Sequence, residues 1–492
     1  MKEKADDTYS HVLKYTSLFG GVQGLMILIG LVRNKFVALL LGAGGMGFVS
    51  LLNSVQTFAS QSTNLGISFG AVPRLSELYE AGDAAGISHY IQVVRLWSFV
   101  AALLGFVFCL AVSPYADALT FSWGDHKLHY AMLALSVSML AVTGGETAIL
   151  KATRKLGALA KIQIAIAVAS VLISVPLYYF FGHSGVVPSI VLMAFAGMLT
   201  TIFYSYRSFP LRVTVNKSLF RDGFGMIRLG VAFVVAAVVG SAAEMLVRSF
   251  LNVEGSLDDV GLYNAGYMIT ITYAGMVFTA MESDYFPRLS GVSDNVLATN
   301  QTVNKQMEVS LLMLSPMLIG LLMLLPLLIP LLFSPEFVPV VAMTQLAILA
   351  MYFKVLTLPV AYITLARGYS LSYLLLETSY YVVFVLLVVF GYRRWGIYGT
   401  GLALVAAHVF DYFLINGYAY WQYGYRSTWT IFRYAAIQLS IGLLGFLVSL
   451  YAEGWVYWTT EAALTLASTA YSVRVLRQKT HLWQSLRRRF RI

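Results

Sequence analysis

The sequence predicts an all-α integral membrane protein with about 14 transmembrane helices, and composition, charge placement and an internal repeat support this prediction. Apolar residues make up 59% of the 492-residue chain, and charged residues make up 11%. Soluble domains carry roughly 45–50% apolar and about 25% charged residues. Because too few polar groups remain to cover a surface facing water, most of the chain must face lipid. The single cysteine, Cys109, excludes an internal disulfide.

The apolar segments are long enough to span a bilayer. A spanning helix needs about 20 mostly apolar residues, since each residue adds about 1.5 Å along the axis. Cutting the chain at Pro, Gly and charge clusters leaves fourteen such segments. They lie at 13–41, 46–69, 92–112, 128–150, 158–181, 186–206, 222–250, 259–285, 306–333, 338–365, 369–391, 396–421, 431–451 and 455–475. The polar segment 73–90 is predicted to be a helix or loop at the lipid headgroups.

The placement of Lys and Arg predicts the orientation. With the N-terminus inside, the outer side receives only Lys127, Arg248, Arg393 and Arg394, while most other basic residues fall on the inner side. Cytoplasmic loops carry such an excess of basic residues. An even number of spans then places both termini in the cytoplasm. The basic tail at 477–492 is predicted to anchor this topology, with binding to anionic lipid as the alternative.

An internal repeat divides the chain. The motif PRLS at 73–76 recurs at 287–290, and Gly47 and Gly261 keep the same offset of 214 residues. Six spans per copy is an even number, so the two copies share one orientation and are pseudo-symmetric about an axis along the membrane normal. Transporters use this plan, with the substrate site where the halves meet; a duplicated scaffold without a cavity is the alternative. The predicted regions are an N-lobe at 1–210, a C-lobe at 211–425, two further helices at 426–476 and the tail at 477–492.

Basic and amide side chains inside the spans are the substrate-binding candidates. Ionisable groups at membrane depth are costly, so they usually face a cavity or a partner. Basic groups suit an anion such as phosphate, and the amides of span two suit sugar hydroxyls. An ion pair between Glu244 and Arg248 and snorkelling of Arg33 and Lys35 to the headgroups are the alternatives. The predicted set is Arg33, Lys35, Arg248, Lys354, Asn53, Gln56 and Gln61.

Acidic side chains inside the spans are the candidates for ion coupling. A buried carboxylate can carry a proton or hold Na⁺, although pairing with a neighbouring Arg or Lys is an equal alternative for each one. No cofactor is expected beyond H⁺ or Na⁺ as a coupling ion. Tyrosines of spans eleven and twelve, including Tyr373 and Tyr380, are assigned mainly to interfacial belts, with sugar stacking as the alternative. The coupling candidates are Glu146, Glu244, Glu377 and Asp411.

The loops carry little that points to catalysis. They lack a Gly-rich phosphate loop, a nucleophile elbow and a His/Cys pattern with metal-ligand spacing. The outer loops are short, and the largest, 113–127, holds few ionisable residues. The chain is therefore predicted not to be an enzyme. A polytopic polymerase or glycosyltransferase acting on lipid-linked sugars remains the alternative from that class.

Two stretches resemble a known superfamily. Residues 32–78, which begin VRNKFVALLLGAGGMGF, resemble the first two spans of polysaccharide and lipid-linked oligosaccharide flippases. Residues 260–295, which begin VGLYNAGYMITITYAG, are similar to their span-eight signature. These flippases belong to the multidrug/oligosaccharidyl-lipid/polysaccharide (MOP) exporter superfamily. The resemblance implies two six-helix lobes with up to two further helices, and no catalytic residues.

The branch that the chain most resembles is the Wzx type. Its members move undecaprenyl-pyrophosphate-linked repeat units across the bacterial inner membrane for O-antigen (lipopolysaccharide), capsule or exopolysaccharide. The resemblance implies the lipid-linked oligosaccharide, the bilayer and the polysaccharide polymerase machinery as partners, and no nucleic acid. Two complete lobes in one chain indicate a working monomer. Arg33 before Gly42 also resembles peptidoglycan-precursor flippases, but their basic residues in span two are replaced here by amides. A multidrug extruder of the same superfamily is the alternative, and Arg33 and Lys354 do not suit a cationic drug.

Overall fold

The computed structural model describes residues 2–120, 127–211, 217–273, 275, 278 and 285–479. This part of the chain is helical apart from short turns. Most of the predicted basic tail and part of predicted span eight lie outside it. The helices are α1 (Lys2–Thr63), α2 (Ile67–Glu80), α3 (Ala84–Thr120), α4 (Lys127–Ala152), α5 (Leu156–Phe181), α6 (Val186–Ser208), α7 (Lys217–Glu254), α8 (Leu257–Tyr267), α9 (Val296–Leu332), α10 (Val341–Ala366), α11 (Ser370–Tyr423), α12 (Trp429–Tyr451) and α13 (Gly454–Lys479).

The length and composition of these helices confirm a multi-pass membrane protein. Nine helical segments within the described residues are long and apolar enough to cross a bilayer. Three of them, Gly21–Thr63, Leu156–Ser208 and Ser370–Tyr423, each cover two of the predicted spans. The count of fourteen crossings stays a prediction.

Glycine interrupts the long helical segments where the sequence predicts turns between spans. Gly42 breaks α1 with φ 70° and ψ −169°, and Gly396 breaks α11 with φ 60° and ψ −146°. A residue with a Cβ rarely adopts these angles. A 3₁₀ turn, Gly182–Gly185, separates α5 from α6. Arg393 and Arg394, the predicted exception to the charge bias, are exposed just before the break in α11.

The chain forms two compact units. The first unit is Met1–Gly261 with Leu332–Ser334, and the second unit is Leu262–Leu331 with Pro335–Ile492. The first unit extends beyond the predicted lobe boundary at 210 because α7 packs against α1, α2 and α3. The compact units therefore do not coincide with the sequence repeats, and the predicted lobe boundaries stay a prediction.

Glycines allow very close packing within the first unit. A Cβ added to Gly70 of α2 would lie 2.1 Å from the Met226 carbonyl oxygen of α7. A Cβ added to Gly47 of α1 would lie 1.9 Å from the Leu257 carbonyl oxygen of α8, and one added to Gly261 would lie 3.1 Å from the Gly47 nitrogen. Small residues let helix backbones approach in this way inside membranes. Gly47 and Gly261 are also the pair of glycines that keeps the 214-residue offset of the sequence repeat.

Candidate functional site

Arg33 faces a neighbouring helix. It is half-buried on α1, and its Nε donates to Ser174 Oγ of α5 at 3.4 Å. Its Nη2 is buried and has no acceptor within the part of the chain that the structure describes. Lys35, two residues later, is also half-buried. Arg33 therefore contacts α5, and one of its donors is left for another acceptor; its role in substrate binding stays a prediction.

Arg248 is held by a local ion pair. Only 6% of this residue is exposed. Its Nη1 donates to Glu244 Oε2 at 3.1 Å, and its Nε donates to Ser50 Oγ of α1 at 2.9 Å. The ion pair at i, i+4, which sequence reasoning gave as the alternative, is therefore formed. Arg33 and Arg248 contact different side chains, Ser174 and Ser50, and do not bind a common acceptor among the described residues. Of the span-two amides, Gln56 is buried and Asn53 is half-buried.

Glu146 is fully engaged in the first unit. Only 3% of it is exposed. Arg95 of α3 donates to Oε1 at 2.8 Å and to Oε2 at 3.3 Å, and Ser205 of α6 donates to Oε2 at 2.5 Å. Arg95 also donates to the Phe209 carbonyl oxygen at 2.8 Å. Since both carboxylate oxygens have donors, this geometry favours the ion-pair alternative: Glu146 holds α3, α4 and α6 together.

A cavity of about 320 Å³ with polar and apolar residues in its wall lies in the first unit, and we call it the polar cavity after the polar side chains named below. Asn64 Nδ2 donates to Gln61 Oε1 at 2.8 Å in its wall. Lys151 is exposed at its edge, and its ammonium group makes no hydrogen bond or ion pair with any described residue. Amides, hydroxyls and one ammonium group suit the hydroxyls of a sugar and the oxygens of a phosphate. The polar side chains that line the polar cavity are those of Ser60, Gln61, Asn64, Ser68, Thr143, Thr147 and Lys151.

Only part of this lining was predicted. Gln61 belongs to the amide stripe of span two, but Lys151 counted merely as an inner-side topology residue. Thr143, Thr147 and Lys151 follow one another at intervals of four residues on α4. That spacing places them on one helix face. The spacing was the available signal, and a search for polar faces on every span would have found it.

The second unit brings three of the predicted residues together. Lys354 of α10 interacts electrostatically with Glu377 and Asp411 of α11, and the two carboxylates interact with each other. All three are half-buried. Lys354 also interacts with His408, which is 4% exposed and contacts the Leu404 carbonyl oxygen through Nδ1 at 2.9 Å. These four residues are called the charged cluster below.

Tyrosines surround the charged cluster. Tyr373 interacts with Glu377 one turn away, and Tyr380 interacts with Asp411. The Tyr380 ring meets the His408 ring edge-on with 5.4 Å between centroids. Lys354 Nζ lies 5.8 Å from the centroid of the Phe278 ring. Tyr373 and Tyr380 are thus part of a charged and aromatic site, where composition alone suggested a belt at the interface.

The charged cluster differs from a purely basic pocket. One ammonium group lies near two carboxylates. The charged cluster can therefore bind or release a small cation while its net charge stays small. No group of three or more His, Cys, Asp or Glu suited to a metal ion occurs among the described residues.

Several solved structures share the fold of this chain. The inward-facing conformation of a multidrug resistance MATE family transporter of the MOP superfamily superposes with a TM-score of 0.66 at 13% identity, covering 85% of this chain and 96% of that chain. The lipid II flippase MurJ in its inward closed conformation gives a TM-score of 0.69 at 12% identity, covering 94% and 99%. The MATE multidrug transporter DinF-BH gives a TM-score of 0.59 at 16% identity, covering 83% and 95%.

At these identities the likeness concerns the fold alone, and it confirms the predicted all-helical membrane architecture. No curated protein matches the sequence. A family described as "Polysaccharide biosynthesis protein" matches residues 36–342, which is more than half of the chain. The chain therefore belongs to this family of polysaccharide biosynthesis proteins.

Proposed function

We propose that this protein is a flippase that moves undecaprenyl-pyrophosphate-linked oligosaccharide repeat units across the bacterial inner membrane by alternating access. The polar cavity is the observation that carries the proposal. Its wall combines neutral amides and hydroxyls with the unpartnered ammonium group of Lys151. This lining suits a sugar joined to a phosphate better than it suits an apolar drug, since each sugar hydroxyl needs a partner when it leaves water.

The pyrophosphate would be bound by basic groups. Lys151 has no partner among the described residues, and Arg33 keeps one buried donor without an acceptor. Each of these groups suits an anion, because guanidinium and ammonium groups form their strongest hydrogen bonds with phosphate oxygens. Arg33 does not line the polar cavity, so we propose that the two residues bind the pyrophosphate at different points along its path. Membership in the polysaccharide biosynthesis family supports the same substrate class. The product would serve the assembly of O-antigen, capsule or exopolysaccharide, with a polymerase acting after the flippase.

Coupling would use the charged cluster. Glu377 and Asp411 are half-buried beside Lys354, so uptake of H⁺ or Na⁺ changes the charge of the site without breaking a buried ion pair. Glu146 and Glu244 are weaker candidates, because they already form ion pairs with Arg95 and Arg248, respectively. The protein would work as a monomer with both termini in the cytoplasm.

A multidrug extruder is the second candidate function. The two carboxylates of the charged cluster are the observation that favours it, since an organic cation can pair with them and with the aromatic rings around them. The polar cavity and Lys151 disfavour it. An extruder would retain an organic cation tightly and would not move a lipid-linked pyrophosphate oligosaccharide.

Reconstituted vesicles test the proposal. Purified protein and a polyprenyl-pyrophosphate oligosaccharide are placed in liposomes, and an impermeant glycosidase reports how much sugar reaches the outside. We expect wild-type protein to expose the inner pool and Lys151→Gln to slow this by about tenfold, the effect of losing about 1.4 kcal/mol of phosphate binding. Lys155→Gln, four residues away and outside the polar cavity, is the matched control and should match wild type. The proposal would be contradicted if vesicles with the protein exposed no more sugar than protein-free vesicles.

A further inference from the structure

A buried polar stripe runs along α13. The buried residues of this helix include Tyr457, Glu461, Ser468 and Ser472. Their spacings of four, seven and four residues place them on one face. This face packs against α12 within the second unit. Polar groups in such a position need partners from the neighbouring helices.

One half of the stripe is satisfied. Gln438 of α12 donates through Nε2 to Ser472 Oγ at 2.8 Å, and Ser468 Oγ donates to Gln438 Oε1 at 2.6 Å. Gln438 and Ser468 are 0% exposed. These hydrogen bonds join α12 to α13 and leave little polarity unpaired in that half of the helix pair.

The other half is not satisfied. Glu461 is 0% exposed, and neither of its carboxylate oxygens has a hydrogen-bond donor within the described chain. Thr465 Oγ1, one turn further along α13, is buried and equally unpartnered. The facing residue of α12 is Gly445, where an added Cβ would lie 3.1 Å from Glu461 Oε2. Glu461 makes no ion pair with any described Lys, Arg or His.

The titratable groups nearest to Glu461 donate their hydrogen bonds to other acceptors. Tyr352 of α10 and Tyr457 of α13 interact with it electrostatically. However, the Tyr352 hydroxyl donates to the Ser315 carbonyl oxygen at 3.3 Å, and the Tyr457 hydroxyl donates to the Met323 carbonyl oxygen at 2.8 Å. Both acceptors belong to α9, which is interrupted by prolines that cannot donate within the helix. The facing positions of α9 and α12 around Glu461, Ile319 and Gly445, carry no charge.

We propose that Glu461 is a proton-binding site within the pair of C-terminal helices. A bare carboxylate anion without donors is too costly in this environment, so the group needs a cation. A sodium ion needs several oxygen ligands, whereas only one carboxylate and one threonine hydroxyl are unpartnered here. A proton needs a single oxygen. The site is separate from the charged cluster and does not depend on the identity of the transported molecule.

A cavity gives the site a route to water. It has a volume of about 390 Å³ and lies at the turn between α12 and α13. Glu453, Gln345 and Ser449 supply polar groups to its wall, and Tyr457 also lines it. Tyr457 is one helical turn from Glu461, so a proton entering this cavity has a short distance to cover.

Carbodiimide labelling of the full-length chain in nanodiscs tests the proposal. Dicyclohexylcarbodiimide adds to a protonated, buried carboxyl group and ends as a stable N-acylurea, which peptide mass spectrometry locates. We expect Glu461 to be labelled at pH 5 and the labelling rate to fall by about tenfold for each pH unit once the proton is lost. Glu461→Gln should remove the label, while Glu453→Gln, an exposed carboxylate eight residues earlier, should not change it.

Two outcomes would overturn the proposal. One is the absence of label on Glu461 at every pH between 5 and 8. The other is protection of Glu461 by millimolar Na⁺ at constant pH, which would make the site a sodium site. The wild-type chain is labelled directly and without substrate. The result therefore depends neither on the folding of Glu461→Gln nor on the proposed flippase function.

Discussion

Carboxylates of the two units stand in opposite surroundings. In the first unit, Glu146 is 3% exposed and receives hydrogen bonds from Arg95 and Ser205. In the second unit, Glu377 and Asp411 are half-buried and share one lysine. Glu146 thus links helices in the first unit, whereas Glu377 and Asp411 are the carboxylates of the second unit that we propose to exchange a cation. We infer these roles from the neighbouring side chains: Arg95 and Ser205 donate hydrogen bonds to Glu146, and Glu377 and Asp411 lie near one ammonium group.

The largest effect is expected from removal of Arg95. Arg95→Ala leaves Glu146 charged and buried without its partner, which should lower the free energy of unfolding by about 3–5 kcal/mol. Thermal unfolding in detergent measures the change. Arg74→Ala, which breaks an exposed pair with Glu77, is the control and should cost about 0–1 kcal/mol. If the Arg95→Ala protein were as stable as wild type, Glu146 would not link α3, α4 and α6 as described.

Loss of the serine partner should have a smaller effect. Ser205→Ala removes a hydrogen bond to a buried carboxylate and should cost about 1.5–3 kcal/mol. Ser208→Ala on the same helix is the control, because Ser208 is exposed and bonds only the Tyr204 carbonyl oxygen. Both variants are compared by thermal unfolding. Equal stabilities for the two variants would mean that Ser205 adds nothing to the Arg95–Glu146 pair.

Close packing in the first unit is tested by adding a single methyl group. Gly47→Ala places a Cβ against the Leu257 carbonyl oxygen and should cost about 1–3 kcal/mol in unfolding free energy. Gly30→Ala lies on the same helix, where nothing stands within 4 Å of the new Cβ. This control should not lose stability, since alanine favours helix. If Gly47→Ala unfolds like Gly30→Ala, α1 and α8 do not approach as described.

The smallest effect on stability is expected in the charged cluster. Glu377→Gln and Asp411→Asn remove charges that are half-buried, so each should change the unfolding free energy by less than about 1 kcal/mol. Transport in vesicles should respond instead, with loss of the acceleration caused by an imposed H⁺ or Na⁺ gradient. Glu336→Gln, outside the charged cluster, is the control for transport. Gradient-driven transport that survives in both variants would place coupling elsewhere.

Much of the fold could be predicted from the sequence because lipid imposes simple rules. Apolar length located the spans, and the breaks at Gly42 and Gly396 lie where the sequence predicts turns between spans. The repeat also paired Gly47 with Gly261, and these residues touch. These features depend on local composition or on identical residues at a constant offset.

The roles of individual charges could not be predicted in the same way. Arg95 and Glu146 are 51 residues apart, and no sequence spacing indicates that α3 and α4 bring them together. Lys151 looked like a topology residue, since its position at the polar cavity depends on how α4 packs against α2. Glu461 lies inside predicted span 455–475 and so met the criterion used for the coupling candidates. Its lack of donors depends on the packing of α9, α10 and α12 around it, which the sequence does not show.

Native mass spectrometry of the protein, gently purified from its own host membrane, tests the central claim most directly. We expect a co-purifying polyprenyl-pyrophosphate oligosaccharide, whose mass would also give the sugar composition. Weaker retention by Lys151→Gln and unchanged retention by Lys155→Gln would place it at the polar cavity. Recovery of phospholipid only, together with tight retention of an added organic cation, would contradict the flippase function and support a drug extruder.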